Sequence, residues 1–262
     1  PAILQAMAGG GVSFGLLVPG LLRLMAKGAE RAGGAKVFGS ALRTLLVGGA
    51  PCPLVLLEEC ERLSIPVLQG YGMSEASPVI SLNTFEANRP GSVGKAIPGV
   101  EVRIRRGAEG EVLVRGSNVM MGYYRDPERT TEALQDGWLC TGDIGTLDGE
   151  GFLTLRGRAK NVIISESGKN VYPEEVEAEL AKSELLKESC VVGKVVGGTE
   201  KVVAVVVLQP GVDLQKAREE VQTRCRGLAD FKRPEEVVVW EGELPKTGSG
   251  KVKIAAVKER LG

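Results

Sequence analysis

Two apolar runs on either side of a helical pattern constrain the fold of this chain more than any other feature of its sequence. Residues 42–47 and 67–69 are largely apolar and are bounded by Gly and Pro, whereas residues 54–63 between them have the spacing of a helix. Parallel strands need a crossover connection of this kind, which is usually a helix. We therefore predict an α/β region built on a parallel sheet.

The pattern of side chains changes at about residue 91. Residues 100–105 and 110–115 form short alternating segments followed by turns that contain Gly. Alternation of this kind is typical of antiparallel strands with one buried face. We predict a small β-barrel-like subdomain that begins at about residue 91.

A third pattern follows residue 157, where helices and strands are mixed in an α+β order. The predicted elements are helices at residues 173–181 and 214–227 and strands at residues 190–195, 202–208 and 237–240. We place a hinge near Lys160 and divide the chain into domains at residues 1–159 and 160–262.

Charge and composition exclude several classes of function. Lys plus Arg and Asp plus Glu each number 33, so the chain has no net charge with which to attract nucleic acid. Histidine is absent, which excludes Ser-His and Cys-His catalysis and most zinc enzymes. Any catalysis must therefore rely on Lys, Arg, Asp, Glu and backbone groups.

The cellular location is constrained by cysteines and by apolar length. Five widely spaced cysteines without a C-x-x-C pair predict free thiols in a reducing cytoplasm. The longest apolar stretch, residues 12–22, is shorter than the roughly 20 residues that span a membrane, so we predict no transmembrane segment. The first residue is Pro1 and no signal peptide is visible, so we expect the natural protein to begin upstream.

Two loops with glycines each follow a predicted strand. The first, LVGGAPCP at residues 46–53, lets the backbone approach a flat ligand. The second, LQGYGMSEASP at residues 68–78, joins an aromatic ring, a hydroxyl and a carboxylate, which suit a base, a phosphate and Mg²⁺ respectively. Both loops are also compatible with a structural role, the first as a turn and the second as a helix start with Ser74 as N-cap.

The run YGMSE resembles the nucleotide-binding loop of the adenylate-forming superfamily, which includes acyl-CoA synthetases, luciferases and peptide-synthetase adenylation domains. The family usually has Thr where this chain has Ser74. The resemblance implies that Tyr71 stacks on adenine, Ser74 binds phosphate and Glu75 is both catalytic and the metal ligand. The other residues implied at the nucleotide site here are Gly48, Gly49, Ala50, Gln69, Gly70 and Gly72.

The segment DGWLCTGDIG, residues 136–145, resembles a signature of fatty-acyl-CoA synthetases, which commonly have His in place of Cys140. A carboxylate at such a turn can accept hydrogen bonds from two vicinal ribose hydroxyls, and the resemblance implies this role for Asp143. Taken alone, the sequence TGD also predicts an ordinary turn.

The segment GRAKNVIISESGKNVYPEEVE, residues 157–177, is similar to the hinge of the family and the loop that follows it. The resemblance implies that Arg158 contacts the ribose or phosphate and that Lys160 is the pivot about which the small domain rotates. Gly168 would belong to the loop that lines the pantetheine tunnel during thioester formation. The alternative for Lys160 is a solvated surface lysine.

The last motif, LPKTGSGKVKI at residues 244–254, contains the strongest catalytic candidate. A Walker A loop would need Gly in place of Pro245 and Ser or Thr in place of Val252, so that interpretation fails. The flexible Gly-Ser-Gly stretch instead resembles the tail motif of adenylate-forming enzymes. In that motif a single lysine, here Lys251, stabilises charge on the carboxylate oxygen and α-phosphate as pyrophosphate leaves. The family often has Arg where this chain has Ile254, so the chain departs from the motif at this position.

These matches follow the order of the family over residues 45–254. They imply that residues 1–159 form the C-terminal part of a large AMP-binding domain and that residues 160–262 form a small mobile C-terminal domain. The Ser/Thr- and Gly-rich phosphate loop that precedes these motifs in the family has no counterpart before Leu45.

The implied reaction joins a carboxylate to Mg·ATP as acyl-AMP and then transfers the acyl group to the thiol of CoA. ATP or AMP, Mg²⁺ and CoA are the expected cofactors and substrates. The combined motifs are most like a medium- or long-chain fatty-acid–CoA ligase, and a homodimer is left open. Two alternatives stay open: an acyl-AMP ligase that loads a carrier protein, and a non-catalytic fragment that binds nucleotide or CoA weakly.

Overall fold

The computed structural model describes residues 2–248 and 250–262. Pro1 lies outside the described residues, as does Ser249 in the middle of the predicted flexible Gly-Ser-Gly stretch. The chain divides into two compact units, the first ending at Leu155 and the second beginning at Arg156. Each unit has its own sheets and its own apolar cores.

The first unit opens with an α/β region around a five-stranded sheet. Its helices are α1 (Ala2–Gly9), α2 (Pro19–Arg31) and α3 (Leu54–Arg62). Its strands are β1 (Phe14–Leu17), β2 (Thr44–Val47), β3 (Val67–Gly72), β4 (Val79–Leu82) and β5 (Lys95–Ala96). The strands lie in the order β1-β2-β3-β4-β5, with β1, β2 and β3 parallel and the later pairs antiparallel.

A second, antiparallel sheet follows in the chain. It consists of β6 (Val100–Arg105), β7 (Glu109–Gly116), β8 (Leu134–Gln135), β9 (Trp138–Leu147) and β10 (Leu153–Arg158). The order is β10-β9-β7-β6, with β8 paired to β9. Helix α4 (Pro127–Ala133) connects β7 to β8 and begins at Asp126, whose side chain accepts a hydrogen bond from the backbone N–H of Arg129.

One face of the parallel sheet is covered by helices. Helix α2 buries a stripe of residues spaced three or four apart, as an amphipathic helix should. The stripe comprises Leu22, Met25, Ala26 and Ala29. It joins Leu45 and Val47 of β2 in one apolar core.

The opposite face of the parallel sheet is open at its edge strand. In β1 the side chains alternate, and Phe14 and Leu16 are 55% and 70% exposed. Val18, immediately after the strand, is also exposed. Parallel sheets are ordinarily covered on both faces, so this unit presents an unusually apolar edge to solvent.

The second unit is built around a three-stranded sheet with helices on both faces, and it also contains a two-stranded hairpin. Its strands are β11 (Ile163–Ile164), β12 (Asn170–Val171), β13 (Leu186–Val196), β14 (Thr199–Leu208) and β15 (Glu236–Val239), and its helices are α5 (Pro173–Leu180), α6 (Leu214–Cys225) and α7 (Ile254–Leu261). The main sheet has the order β13-β14-β15, antiparallel then parallel, and β11 pairs with β12 in a separate hairpin.

Strand β14 is buried on both faces. Val202, Ala204 and Val206 belong to the core formed with α5 and α6, whereas Val203 and Val205 belong to the core formed with α7. Successive side chains of a strand point to opposite faces, so a central strand covered on both sides requires a continuous apolar run. This explains the sequence VVAVVVL at residues 202–208.

The α/β and α+β class predicted from sequence is confirmed. Most predicted elements agree with the structure within a few residues, including α3, β6 and α6. Within the described residues, no helix is both long and apolar enough to cross a membrane.

Candidate functional site

Tyr71 and Asp143 meet in the first unit although 72 positions separate them in sequence. Tyr71 lies in β3 and Asp143 in β9, and the Tyr71 hydroxyl donates a hydrogen bond to Asp143 Oδ2 at 2.5 Å. The Asp143 residue is only 6% exposed. The fold therefore brings the residue expected to stack on adenine beside the residue expected to bind the ribose.

A local irregularity of β9 orients Asp143. The register between β7 and β9 shifts between Glu111 and Leu113, and such bulges commonly redirect a side chain. Gly142 has φ of +70°, which favours glycine, and its N–H donates to Glu111 Oε1 at 3.0 Å. Thr141 Oγ1 accepts from the Asp143 N–H at 3.1 Å and donates to the carbonyl of Val112 at 2.8 Å.

Glu75 lies just beyond β3, in the short 3₁₀ helix Ser74–Ala76. Its Oε1 accepts a hydrogen bond from the Tyr123 hydroxyl at 2.9 Å, and its backbone carbonyl accepts from the N–H of Met120 at 2.8 Å. Burial, followed by the hydrogen bond to Glu75, raises the pKa of Tyr123, so its hydroxyl stays protonated as a donor. Ser74 is exposed beside it.

The structure decides the alternative interpretation of Ser74. The N-cap of the 3₁₀ helix is Met73, and no side chain caps the helix. Ser74 is therefore the first helical residue rather than the N-cap. The Ser74 hydroxyl does not cap this helix.

The glycines of β3 serve packing as well as backbone exposure. A Cβ atom at Gly72 would lie 1.8 Å from the carbonyl oxygen of Pro78, so no larger residue fits. At Gly70 a Cβ would lie 3.1 Å from Leu82 Cδ1 and 3.3 Å from the carbonyl oxygen of Ser81. Close approach of β4 to β3 thus accounts for both positions.

The loop after β2 lies beside β3 at the carboxyl end of the parallel strands, where α/β sheets bind ligands. A Cβ at Gly48 would lie 3.1 Å from the carbonyl oxygen of Gly70. Gly49 and Ala50 are exposed, and Gly49 has φ of +76°. Gln69 is buried, and its Oε1 accepts from the N–H of Gly91 at 3.3 Å.

The remaining predicted residues belong to the second unit. Arg158 ends β10, and its N–H donates to Glu174 Oε1 at 3.3 Å. Lys160 is exposed in the 3₁₀ helix Ala159–Asn161. Gly168, with φ of +73°, is exposed in the turn between β11 and β12.

Lys251 is exposed and is fixed through its backbone. Its N–H donates to Thr247 Oγ1 at 3.2 Å, and its carbonyl accepts from the N–H of Thr247 at 2.8 Å. Among residues 2–248 and 250–262, no ion pair holds the Lys251 ammonium group. By contrast, the neighbouring Lys246 is paired with Glu188 at 2.8 Å.

Cys140, the departure noted in the DGWLCTGDIG segment, contacts Arg105. The Arg105 guanidinium donates to Cys140 Sγ at 2.7 Å and pairs with Glu111 at 3.3 Å. Burial is the largest influence on the thiol and raises its pKa. Cys140 is therefore a protonated, packed side chain.

Sequence reasoning missed the segment that supports Glu75. Tyr123 lies 48 positions from Glu75, and Asn118 Nδ2 donates to the carbonyls of Ala76 and Val79, both at 2.9 Å. No spacing rule connects these positions, because they meet only through the packing of the β7–α4 connection against the end of β3.

Comparison with known families gives two matches. Residues 1–124 match the AMP-binding enzyme family, and residues 175–251 match the AMP-binding enzyme C-terminal domain.

Several curated proteins are similar to the chain. It is 40% identical over 222 residues to a 2-succinylbenzoate–CoA ligase of Listeria innocua, 38% over 224 residues to a long-chain-fatty-acid–CoA ligase of Yersinia pestis, and 40% over 231 residues to an indoleacetate–CoA ligase of Aromatoleum aromaticum. The alignments cover 84%, 81% and 84% of this chain but 46%, 39% and 45% of the relatives. The chain thus spans less than half the length of these relatives.

Solved structures give the same relation. O-succinylbenzoate coenzyme A synthetase from Bacillus subtilis, in complex with ATP and magnesium ion, superposes with a TM-score of 0.85 at 31% identity, over 99% of this chain and 53% of that one. An amide bond synthetase from Marinactinospora thermotolerans superposes with a TM-score of 0.82 at 34% identity, over 99% and 54%.

Proposed function

Since the chain belongs to the family of AMP-binding enzymes, we propose that the protein is an ATP-dependent acid–thiol ligase. It would activate a carboxylate as acyl-AMP and then transfer the acyl group to CoA. The relatives named as CoA ligases support this reaction class. ATP, Mg²⁺ and CoA are the proposed cofactors and substrates.

The hydrogen bond between Tyr71 and Asp143 carries the nucleotide part of the proposal. An aromatic ring and a carboxylate in contact can recognise adenine and ribose together. The ring stacks on the face of the base, while the carboxylate accepts hydrogen bonds from the ribose hydroxyls at a different angle. We assign Tyr71 to adenine and Asp143 to the ribose. Gly48, Gly49, Ala50, Gln69, Gly70 and Gly72 would form the wall of the same site.

The residues beside the nucleotide site also fit Mg²⁺. This ion is usually bound by one or two carboxylates together with substrate phosphates rather than by a protein cage. The described residues contain no cluster of three potential ligands, and Glu75 with Ser74 offers a carboxylate and a hydroxyl. Glu75 would hold the ion and Ser74 a phosphate, while bound Mg²⁺ would neutralise phosphate charge.

The second unit would contribute the residues that alternate between the two steps. We propose that Lys251 stabilises negative charge on the carboxylate oxygen and the α-phosphate during adenylation. Arg158 would contact ribose or phosphate, and the turn at Gly168 would line the pantetheine path. Lys160 would be the hinge between a domain at residues 1–159 and a mobile domain at residues 160–262.

The carboxylate substrate is proposed at two levels. The acid class follows from relatives whose names include an aromatic keto acid, an indole acid and a fatty acid. The finer proposal from the sequence motifs is a medium- or long-chain fatty acid. We test it against aryl acids, since the relatives at 40% identity are named for these.

Carboxylate-dependent exchange of pyrophosphate into ATP tests the first step. The chain is assayed beside a version extended to the full length of its relatives, with lauric, palmitic, indoleacetic and 2-succinylbenzoic acids. Exchange with any acid by the extended protein is the expected result. Preference for an aryl acid would contradict the fatty-acid proposal alone, and no exchange with any acid would contradict the ligase proposal.

Two alternatives have specific support. The similarity to an amide bond synthetase favours a different acyl acceptor, and transfer to an amine or a carrier protein but not to CoA would establish it. The coverage of less than half of each relative favours a weakly binding, non-catalytic chain, and full exchange by the 262-residue chain would refute that. We also propose a homodimer and a cytoplasmic location.

A further inference from the structure

Tyr123 is the feature near the proposed metal site to which neither the motifs nor the proposed reaction assigns a role. We propose that Tyr123 is a positioning residue that fixes the Glu75 carboxylate for binding of Mg²⁺, and thereby of the complex of Mg²⁺ with ATP. The inference rests on the proposed function of Glu75. It is carried by the hydrogen bond of 2.9 Å from the Tyr123 hydroxyl to Glu75 Oε1.

The backbone around Glu75 is held by the same segment of chain. Met120 N–H donates to the Glu75 carbonyl at 2.8 Å, three residues before Tyr123. Asn118 Nδ2 bridges the carbonyls of Ala76 and Val79, each at 2.9 Å. The 118–123 segment thus fixes both the main chain and the side chain of the short helix, which a packing contact alone would not do.

Tyr123 is itself immobilised from the other side. Its N–H donates to Thr130 Oγ1 at 2.8 Å, and the Arg129 guanidinium lies 4.6 Å from the centre of its ring. Thr130 Oγ1 in turn donates to the carbonyl of Asp126 at 2.7 Å, at the start of α4. The donor that orients Glu75 is therefore anchored to a helix rather than to a free loop.

The chemistry of the donor suits a metal ligand. A tyrosine hydroxyl is neutral, so it restricts the carboxylate without cancelling the charge that attracts a cation, as Lys or Arg would. Hydrogen bonds of this kind to metal ligands commonly raise affinity, because the ligand is already oriented before the ion arrives. Tyr123 would therefore strengthen metal-dependent binding and leave metal-free nucleotide binding unchanged.

The test measures affinity for ATP by titration calorimetry with Mg²⁺ and with EDTA, and all variants are made in the version extended to the full length of the relatives. Removing a hydrogen bond to a charged group should reduce the gain from Mg²⁺ by about tenfold in Tyr123→Phe. Affinity in EDTA should stay within about twofold of the unmodified chain, since a lost orienting bond acts only on the metal ligand. In a Glu75→Gln background, Tyr123→Phe should have no further effect.

The matched control is Tyr124→Phe, which removes the same hydroxyl from the adjacent residue. Tyr124 is 85% exposed, and its ring contacts Arg125. This control should bind ATP like the unmodified chain under both conditions. Thermal unfolding of all variants identifies any that fail to fold.

Three outcomes overturn the inference in distinguishable ways. Equal weakening with Mg²⁺ and with EDTA, or weakening that persists in Glu75→Gln, would show a structural role for Tyr123. An unchanged Mg²⁺ gain in Tyr123→Phe would show no role. Absence of ATP binding by the extended protein would overturn the proposed function itself and the role of Tyr123 with it.

Discussion

The Lys251 side chain is exposed and its backbone is held by hydrogen bonds to Thr247, so its ammonium group is available to contact a negatively charged ligand. We expect Lys251→Ala to abolish carboxylate-dependent pyrophosphate exchange in the extended protein, because it removes the cation proposed to stabilise the leaving phosphate. Thioester formation from supplied acyl-AMP should be largely retained. Lys253→Ala, an exposed lysine two residues on, is the control, and equal loss of both steps in Lys251→Ala would contradict the assignment.

Glu177 is a second residue with unusual electrostatics, in the second unit. Burial raises its pKa from 4.5 to about 7, the nearby Glu174 adds to the rise, and hydrogen bonds from Val191 N–H and from the Cys190 thiol oppose it. The folded state therefore binds more protons than the unfolded state between about pH 4.5 and 7. The stability that Glu177 contributes to the unit is therefore lost as the pH rises through this window.

Replacement of Glu177 by Gln should remove this dependence. One pKa unit corresponds to about 1.4 kcal/mol, so the unmodified chain should lose on the order of 3 kcal/mol of unfolding free energy between pH 4.5 and 8 relative to Glu177→Gln. Urea unfolding at several pH values gives the comparison. Glu179→Gln, a partly exposed carboxylate on the same helix paired with Lys182, should follow the unmodified chain. A slope that survives in Glu177→Gln would refute the explanation.

At the scale of elements, the β3–β4 pair depends on a glycine. A Cβ at Gly72 would lie 1.8 Å from the Pro78 carbonyl oxygen, which is backbone and cannot rotate away. We expect Gly72→Ala to lower the unfolding free energy of the first unit by about 2–3 kcal/mol through forced displacement of β4. Hydrogen exchange of β3 and β4 amides should rise with it.

The control for this prediction is Gly149→Ala. Gly149 has no atom within 4 Å of the position of a Cβ. We expect no more than a change of about 0.5 kcal/mol there. Equal destabilisation by the two substitutions would show that the close approach of β4 to β3 does not determine the loss of unfolding free energy in Gly72→Ala.

For the molecule as a whole, the open face of β1 predicts association. Phe14 and Leu16 expose apolar surface on a strand at the edge of a parallel sheet, where both a face and a row of backbone groups are available. We expect the 262-residue chain to associate at micromolar concentration in sedimentation experiments. Leu16→Thr should reduce this, whereas Val195→Thr, an exposed valine of the second unit, should not. A monomer at all concentrations would contradict it.

The sequence was most informative where a single pattern filled an element. The runs at residues 42–47, 67–69 and 202–208 predicted strands, since each had one periodicity between clear breakers. The sequence does not distinguish the elements of residues 14–31, because β1 ends at Leu17 and α2 begins at Pro19. With only Val18 between them, the strand and helix periodicities merge into one apolar stretch.

The candidate site divides in the same way. The sequence predicts site roles for Tyr71, Glu75 and Asp143 because each lies in a motif whose residues act together, and these roles stay predictions. It predicts none for Tyr123, since its hydrogen bond to Glu75 depends on how the β7–α4 connection packs against β3. Pairings of this kind are determined by tertiary structure and produce no periodic pattern in the sequence.

The two-sided burial of β14 has a consequence for the unfolded chain. Its run of apolar, mostly β-branched residues at 202–208 meets the requirements of a segment that nucleates cross-β fibrils when it is not covered. Glu200 and Lys201 before the run and Pro210 after it are residues that oppose such stacking. During refolding, packing of α5, α6 and α7 over this strand should therefore compete with fibril nucleation by the strand. Because nucleation requires several chains, dilution should favour refolding.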